Sequence, residues 1–215
     1  MKRLFRGGWF WGAVFLTFAS LWAGIGSNLI RIMRNEQWSF GWVAEETLVS
    51  SASVITLPVF AALPCAAFVW NEMHCGAVRP VVFRCGVRIW RMSKMVAVMV
   101  SAAVGQGIAL AAFCSVVKGV PSAGMLFSRL FLTLFYAWLG AASAIWCRDG
   151  VIGCLVPVVF SFACQLFGGR FFPDIVWLQP GNWMNGRCLW VGVLLAGLGF
   201  IAFDCTLRKE TSRYV

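Results

Sequence analysis

The sequence has few charged residues for its length. Only 12% of its 215 residues are Asp, Glu, Lys or Arg, whereas 60% are hydrophobic, and the mean hydropathy is +0.81. Soluble domains carry about 25% charged residues. With twelve Trp and nineteen Phe, too little polar side chain remains to cover a globule in water. The composition therefore predicts an integral membrane protein.

The residues of metal sites and disulfide frameworks are scarce or poorly placed. There is one histidine, His74, and none of the nine cysteines forms a C-x-x-C pair. Most of these cysteines fall in apolar runs, which favours small buried hydrophobic residues over disulfides. Cys188 alone lies near a predicted outside segment. We therefore predict no metal ligands.

Two catalytic signatures are also missing. The chain has no H-E-x-x-H motif and no acid deep in an apolar run, which argues against an intramembrane enzyme and predicts no catalytic residues. It contains no G-x-x-x-x-G-K-[ST] motif, the loop that cradles nucleotide phosphates. We therefore expect no cofactor bound by this chain itself.

What the sequence does contain is six long apolar runs. About 20 apolar residues are needed to cross the hydrocarbon core. The predicted spans are 9–30, 51–70, 95–117, 126–146, 151–167 and 190–207. Basic residues before the first run are typical of a signal peptide, but this run exceeds the usual 7–15 apolar residues, which favours an uncleaved helix. The prediction is an all-α fold with six transmembrane helices, in a single transmembrane domain over 1–215.

Basic residues predict the orientation. With the N-terminus in the cytoplasm, twelve of the 18 Lys and Arg residues fall in inside segments, and the acids divide equally. Lys and Arg concentrate in cytoplasmic loops, so both termini are expected inside. The pair Arg31 and Arg34 opposes this locally. Tryptophans near the predicted span ends fit an aromatic belt at the interface.

Three prolines interrupt the spans. Pro58 and Pro64 lie in the second span and Pro157 in the fifth, the middle helices of two halves of three. Such kinks are tolerated where neighbours or water satisfy the freed carbonyl. Kinked helices line transport pathways, but they are also common as plain packing features, and both interpretations stay open.

A few other residues within the spans are polar or small. We expect Gln106 and Gln165 to form interhelical hydrogen bonds, Arg129 to extend to the outer interface, and Asp204 to pair with Arg208. The small residues around Gly140 predict close helix packing. The segment 168–187, "GGRFFPDIVWLQPGNWMNGR", is expected at the outer interface, with a re-entrant hairpin as the alternative.

Five positive charges lie within the sixteen residues 79–94. Arg84, Arg88 and Arg91 are spaced i, i+4, i+7 and would share one helix face. Pro80 suits the first turn, whereas Gly86 weakens a helix by about 1 kcal/mol relative to Ala. We predict a short amphipathic helix at the cytoplasmic surface between the second and third spans. It would bind anionic lipid or a soluble partner, and nucleic acid is disfavoured because no binding fold accompanies it.

The residues around this segment carry a family resemblance. In "FVWNEMHCGAVRPVVFRCGVRIWRMSK", Phe68, Glu72, Gly76 and Lys94 match a pattern at the end of the second helix and the start of the third. The match resembles the cytoplasmic loop of type-2 ABC exporter permeases. The six-span layout, with both ends inside, is also similar over nearly the whole chain.

The resemblance implies the membrane half of an ATP-driven exporter in a bacterial cytoplasmic membrane. Two permeases, identical or different, would work with two ABC ATPase chains that bind ATP and Mg²⁺. An ATPase-coupling loop would dock in a cleft of the ATPase and tilt the second and fifth helices. The residues assigned to that loop are Glu72, Gly76, Arg79, Arg84, Arg88, Arg91 and Lys94. The apolar helices favour a lipophilic or amphipathic cargo, such as a drug, a lipid-like molecule or a modified peptide.

Other functions remain open from the residues alone. A proton- or sodium-driven transporter usually shows ionisable residues inside the membrane. A stand-alone assembly or immunity protein needs no partner ATPase. A substrate-capture subunit for a vitamin-type compound would need an ATPase from an energy-coupling module.

Overall fold

The computed structural model describes residues 7–34, 39–75, 78–172, 174–175, 179–184 and 188–212. Within these ranges the chain is helical and contains no strand, which confirms the all-α prediction. The helices are α1 (Gly8–Arg34), α2 (Phe40–Val49), α3 (Ser51–His74), α4 (Val78–Cys85), α5 (Val87–Val117), α6 (Ala123–Cys147), α7 (Gly150–Phe171), α8 (Pro180–Trp183) and α9 (Leu189–Thr211).

Six of these helices are long and apolar enough to cross a membrane: α1, α3, α5, α6, α7 and α9. Each coincides with one of the six predicted spans. The largest difference is at α5, which begins at Val87 although the apolar run begins at Met95. Polar residues can continue a helix beyond the hydrocarbon core, so an apolar run predicts the buried length better than the helix end.

Helix α2 was not predicted. It begins after Ser39, whose side chain accepts a 3.2 Å hydrogen bond from the Trp42 amide. Its buried face packs mainly against α1. The helix ends at Val49; Ser50, with ψ 148°, follows it, and α3 begins at Ser51. The hydroxyl of Ser50 donates to the Thr47 carbonyl at 2.6 Å and accepts from the Ser53 amide at 3.3 Å, so one side chain caps both helices.

The centre of the bundle is α6. Of its most apolar 18 residues 72% are buried, against 17% for α7. Close contact is possible because the facing residues are small: a Cβ added to Gly140 would lie 2.6 Å from the Ala62 Cβ, and one added to Gly153 would lie 2.6 Å from the Ala144 Cβ. The residues around Gly140 therefore pack against α3 and α7, as predicted. Helix α9 packs on another side of α6.

The three prolines lie within α3 and α7, and both helices continue through them. Pro58, Pro64 and Pro157 are all buried. Pro64 borders a void of about 10 Å³, next to Thr17 and Gln106. A water molecule needs about 10–15 Å³, so this void is at the limit for one water. A pathway role for the prolines stays a prediction.

The basic segment is not one helix. Gly86 separates α4 from α5 with φ 78° and ψ 150°, a backbone conformation that is nearly exclusive to glycine. Arg84 therefore belongs to α4, whereas Arg88 and Arg91 lie on the first turns of α5. The predicted single face carrying all three arginines is wrong, because the i, i+4, i+7 spacing holds only along an unbroken helix.

The segment after α7 also departs from the prediction in part. Helix α7 extends to Phe171, which is exposed, as is Phe172. Trp183 in α8 is only 3% exposed and belongs to a core cluster with Leu57 and Tyr136. Trp183 is thus a core residue of the protein.

Candidate functional site

An ion pair joins the end of α3 to the beginning of α5. Lys94 Nζ donates to Glu72 Oε2, and both side chains are largely buried. The same ammonium lies 4.9 Å from the ring centroid of Phe68 and 5.9 Å from that of Trp90, distances at which a cation is attracted to an aromatic face. We call Phe68, Glu72, Trp90 and Lys94 the Lys94 cluster.

A second ion pair ties α5 to α9 at the same end of the bundle. Arg91 Nε lies 2.9 Å from Asp204 Oδ1, and Arg208 Nε donates to Asp204 Oδ2 at 2.8 Å. The predicted Asp204–Arg208 pair is confirmed. The Arg91 contact was not predicted. Its N–H is poorly aligned as a donor, so the contact is ionic rather than a directional hydrogen bond.

The other residues assigned to the coupling loop differ in their surroundings. Arg84 and Arg88 are exposed. The backbone of Arg79 is part of α4. Gly76 lies outside the described residues. The structure therefore divides the predicted loop residues into a fixed group, Glu72, Arg91 and Lys94, and exposed arginines.

A polar cluster lies inside the bundle, where the sequence predicted only scattered residues. Arg129 Nη1 donates to Ser53 Oγ at 2.8 Å, and Nη2 lies 3.5 Å from Gln106 Oε1. Gln106 Nε2 donates in turn to Thr17 Oγ1 at 3.2 Å. These four side chains come from α1, α3, α5 and α6, and we call them the Arg129 cluster.

The predicted interfacial position of Arg129 is wrong, because its side chain is only 3% exposed. It lies among helices that hold polar partners for it, so it has no need to extend along α6 towards water. The prediction that Gln106 forms interhelical hydrogen bonds is confirmed. Gln165 is exposed on α7, and its predicted interhelical hydrogen bond is not found within the described part of this single chain.

A groove of about 670 Å³ runs between α6, α7 and α9. Its wall is mostly apolar, with Leu139, Ile145 and Val156 among the lining residues. Arg148, Lys209 and Glu210 lie at the end where α6 meets α7. This combination of an apolar wall and a charged end suits an amphipathic molecule.

No His, Cys, Asp or Glu residues of the described ranges group in threes that could hold a metal ion. All nine cysteines are free thiols. No family model matches the chain, and no curated protein or solved structure gives a significant match.

Proposed function

We propose that this chain is the membrane permease of an ATP-driven exporter of the type-2 ABC class. One observation carries the proposal. Of the four residues on which the resemblance rests, Phe68, Glu72 and Lys94 meet in one cluster, although Lys94 is separated from the other two by the basic segment. The fourth, Gly76, lies outside the described residues.

The geometry supports a role in transmitting force. The Lys94 cluster joins α3 to α5, and the Arg91–Asp204 pair joins α5 to α9. A push on the segment between α3 and α5 would thus move three helix ends together. In this proposal the exposed Arg84 and Arg88 bind the ATPase or anionic lipid, and Glu72 and Lys94 keep the loop rigid.

The proposal includes an orientation and a cargo. The end that carries α4, the beginning of α1 and the end of α9 faces the cytoplasm, in a bacterial cytoplasmic membrane, because most Lys and Arg residues fall in the predicted inside segments. The groove between α6, α7 and α9 supports a lipophilic or amphipathic cargo. The working unit pairs two permeases with two ATPase chains, which supply ATP and Mg²⁺.

The test is a pull-down of the tagged protein from its native membrane in mild detergent, followed by mass spectrometry. We expect a stoichiometric P-loop ATPase with the wild type and its loss with Glu72→Lys or Arg84→Glu. Arg170→Glu is the matched control, since Arg170 is also an exposed arginine but lies at the end of α7 away from α4. Well-folded protein without any ATPase would refute the proposal.

A second candidate is a stand-alone transporter driven by an ion gradient. Arg129 favours it, because ionisable residues inside a membrane bundle often mark ion or substrate pathways. The two candidates differ in their energy source. Purified protein in vesicles that moves a substrate along an imposed proton or sodium gradient, with no ATPase present, would establish the second and exclude the first.

A further inference from the structure

Arg129 is a buried cation with no counter-charge among the described residues. Its side chain is 3% exposed, and its contacts within the described part of the chain are the neutral groups of Ser53 and Gln106. An arginine keeps its proton in proteins. A buried charge is costly unless it is paired, so this position calls for a negative group that none of those contacts supplies.

The hydrogen-bonding capacity of Arg129 is also incompletely used. A guanidinium has five N–H donors. Among the described contacts one goes to Ser53 at 2.8 Å, a second reaches Gln106 only at 3.5 Å, and the buried Nε has no acceptor. Ser53 accepts from Arg129 and keeps its own hydroxyl proton for another acceptor. The site thus offers donors from two side chains.

The backbone adds to the positive potential at this place. Ser53 lies in the first turn of α3, and the N-terminus of a helix carries a partial positive charge that favours anions. Helix α2 ends at the same break and brings an opposite partial charge. Its Thr47 carbonyl, however, already accepts from both the amide and the hydroxyl of Ser50.

The depth of the site indicates the kind of ligand. Arg129 is the seventh residue of α6, so it lies about 9 Å along the helix axis from the first residue, at 1.5 Å per residue. This is a short distance from the end of the bundle. An anionic group at that depth can belong to a molecule whose apolar part lies among the helices or in the lipid.

We propose that the Arg129 cluster binds the anionic group of an amphiphile, a carboxylate or a phosphate, with Arg129 and Ser53 as donors. The anion would take up the free Nε–H of Arg129 and the Ser53 hydroxyl, and would supply the missing negative charge. This inference rests on the Arg129 cluster alone. It holds for an exporter or for a stand-alone transporter, and its test needs no ATPase.

The experiment titrates delipidated protein in non-ionic detergent with sodium oleate and measures its melting temperature at each concentration. Oleyl alcohol is the matched neutral probe. We expect saturable stabilisation by oleate and much weaker stabilisation by the alcohol. Arg129→Gln should weaken oleate binding at least tenfold, Arg129→Lys should restore part of it, and Arg170→Gln should leave it unchanged.

A second titration uses sodium phosphate or sodium chloride in place of oleate. If either salt stabilises the wild type but not Arg129→Gln, and oleate has no effect, the site binds a free anion and the proposed amphiphile ligand is wrong. Equal binding of oleate and oleyl alcohol, or full oleate affinity in Arg129→Gln, would overturn the anion site altogether. If Arg129→Gln does not fold, Ser53→Ala decides: a folded protein with several-fold weaker oleate binding supports the site, and wild-type affinity overturns it.

Discussion

Arg91 Nε and Asp204 Oδ1 lie 2.9 Å apart and join the first turns of α5 to the last helix of the bundle. Both side chains are mostly buried, 22% and 16% exposed, whereas Arg208, the other partner of Asp204, is 63% exposed. One carboxylate therefore serves two arginines in unequal surroundings. Arg91 belongs to the bundle itself and is less available to a docking partner than Arg84 or Arg88.

This inequality predicts different costs for the two arginines. Arg91→Met should destabilise the protein by about 1–2 kcal/mol, because it leaves a largely buried carboxylate with one exposed partner. Arg208→Met should cost less than about 1 kcal/mol, as is usual for an exposed pair. Thermal unfolding in detergent measures both. Equal effects would show that the difference in burial does not set the strengths of the two contacts.

The Glu72–Lys94 pair predicts coupling between two distant positions in the sequence. In a double-mutant cycle with Glu72→Gln and Lys94→Met, we expect a coupling energy of about 1 kcal/mol or more, since contacting residues are not additive. Phe68→Leu should lower stability further by removing the ring beneath the ammonium. If the effects of the two single substitutions add up to that of the double substitution, the two charges do not interact in the detergent-solubilised protein.

The contacts of α6 with α3 and with α7 predict that glycine is required at positions 140 and 153. Gly140→Ala and Gly153→Ala should each destabilise by about 1–3 kcal/mol, because the added Cβ meets atoms within 2.6 Å. Gly107 and Gly197 are helical glycines with nothing within 4 Å of an added Cβ, and they serve as controls. Their alanine variants should be neutral or slightly more stable. Melting temperatures of the four variants decide the matter.

The break at Gly86 predicts strain in any other residue. Gly86→Ala should cost about 1–3 kcal/mol, because a Cβ disfavours φ 78° with ψ 150°. If the segment instead formed one continuous helix in the membrane, the same change would stabilise it. The sign of the shift in melting temperature distinguishes the two arrangements.

The exposed thiols test the proposed orientation. Cys75 and Cys85 lie at the two ends of the segment that links α3 to α5, and both are exposed. A membrane-impermeant maleimide should leave them unlabelled in right-side-out vesicles and label them after lysis. Val120→Cys, at a position 73% exposed in the opposite loop, should be labelled before lysis. The reverse pattern would invert the topology.

The six long helices were predictable from sequence because membrane helices need only local information, a sufficient apolar length. Helix α2 was missed for the same reason. Glu45 and Glu46 lower its hydropathy, and its burial depends on α1, which sequence periodicity does not show. The carboxylate of Glu45 accepts a 2.8 Å hydrogen bond from the Ser122 amide, a contact with a distant loop.

The candidate sites were predictable only where the partners are close in sequence or already suspected. The Asp204–Arg208 pair follows from i, i+4 spacing, whereas Arg91–Asp204 depends on how α5 and α9 pack. Arg129 was assigned to the interface because it lies near the end of its span. A partial signal was available: Ser53 and Arg129 fall at similar distances from the same predicted side of the membrane, whereas Gln106 lies in the middle of its span. Polar residues at one depth tend to meet.

The composition of the Arg129 cluster has a consequence for how the protein is made. The other three members of the cluster, Thr17, Ser53 and Gln106, precede Arg129 in the sequence and are synthesised before it. If the helices insert in order of synthesis, the hydroxyl and amide groups that contact Arg129 would be in the membrane before α6 enters it. A charge that would insert poorly in an isolated helix thus enters a prepared site. The Arg91–Asp204 pair, in contrast, forms only after the last helix has been synthesised. The polar contacts at the two ends of the bundle therefore become possible at different times during synthesis.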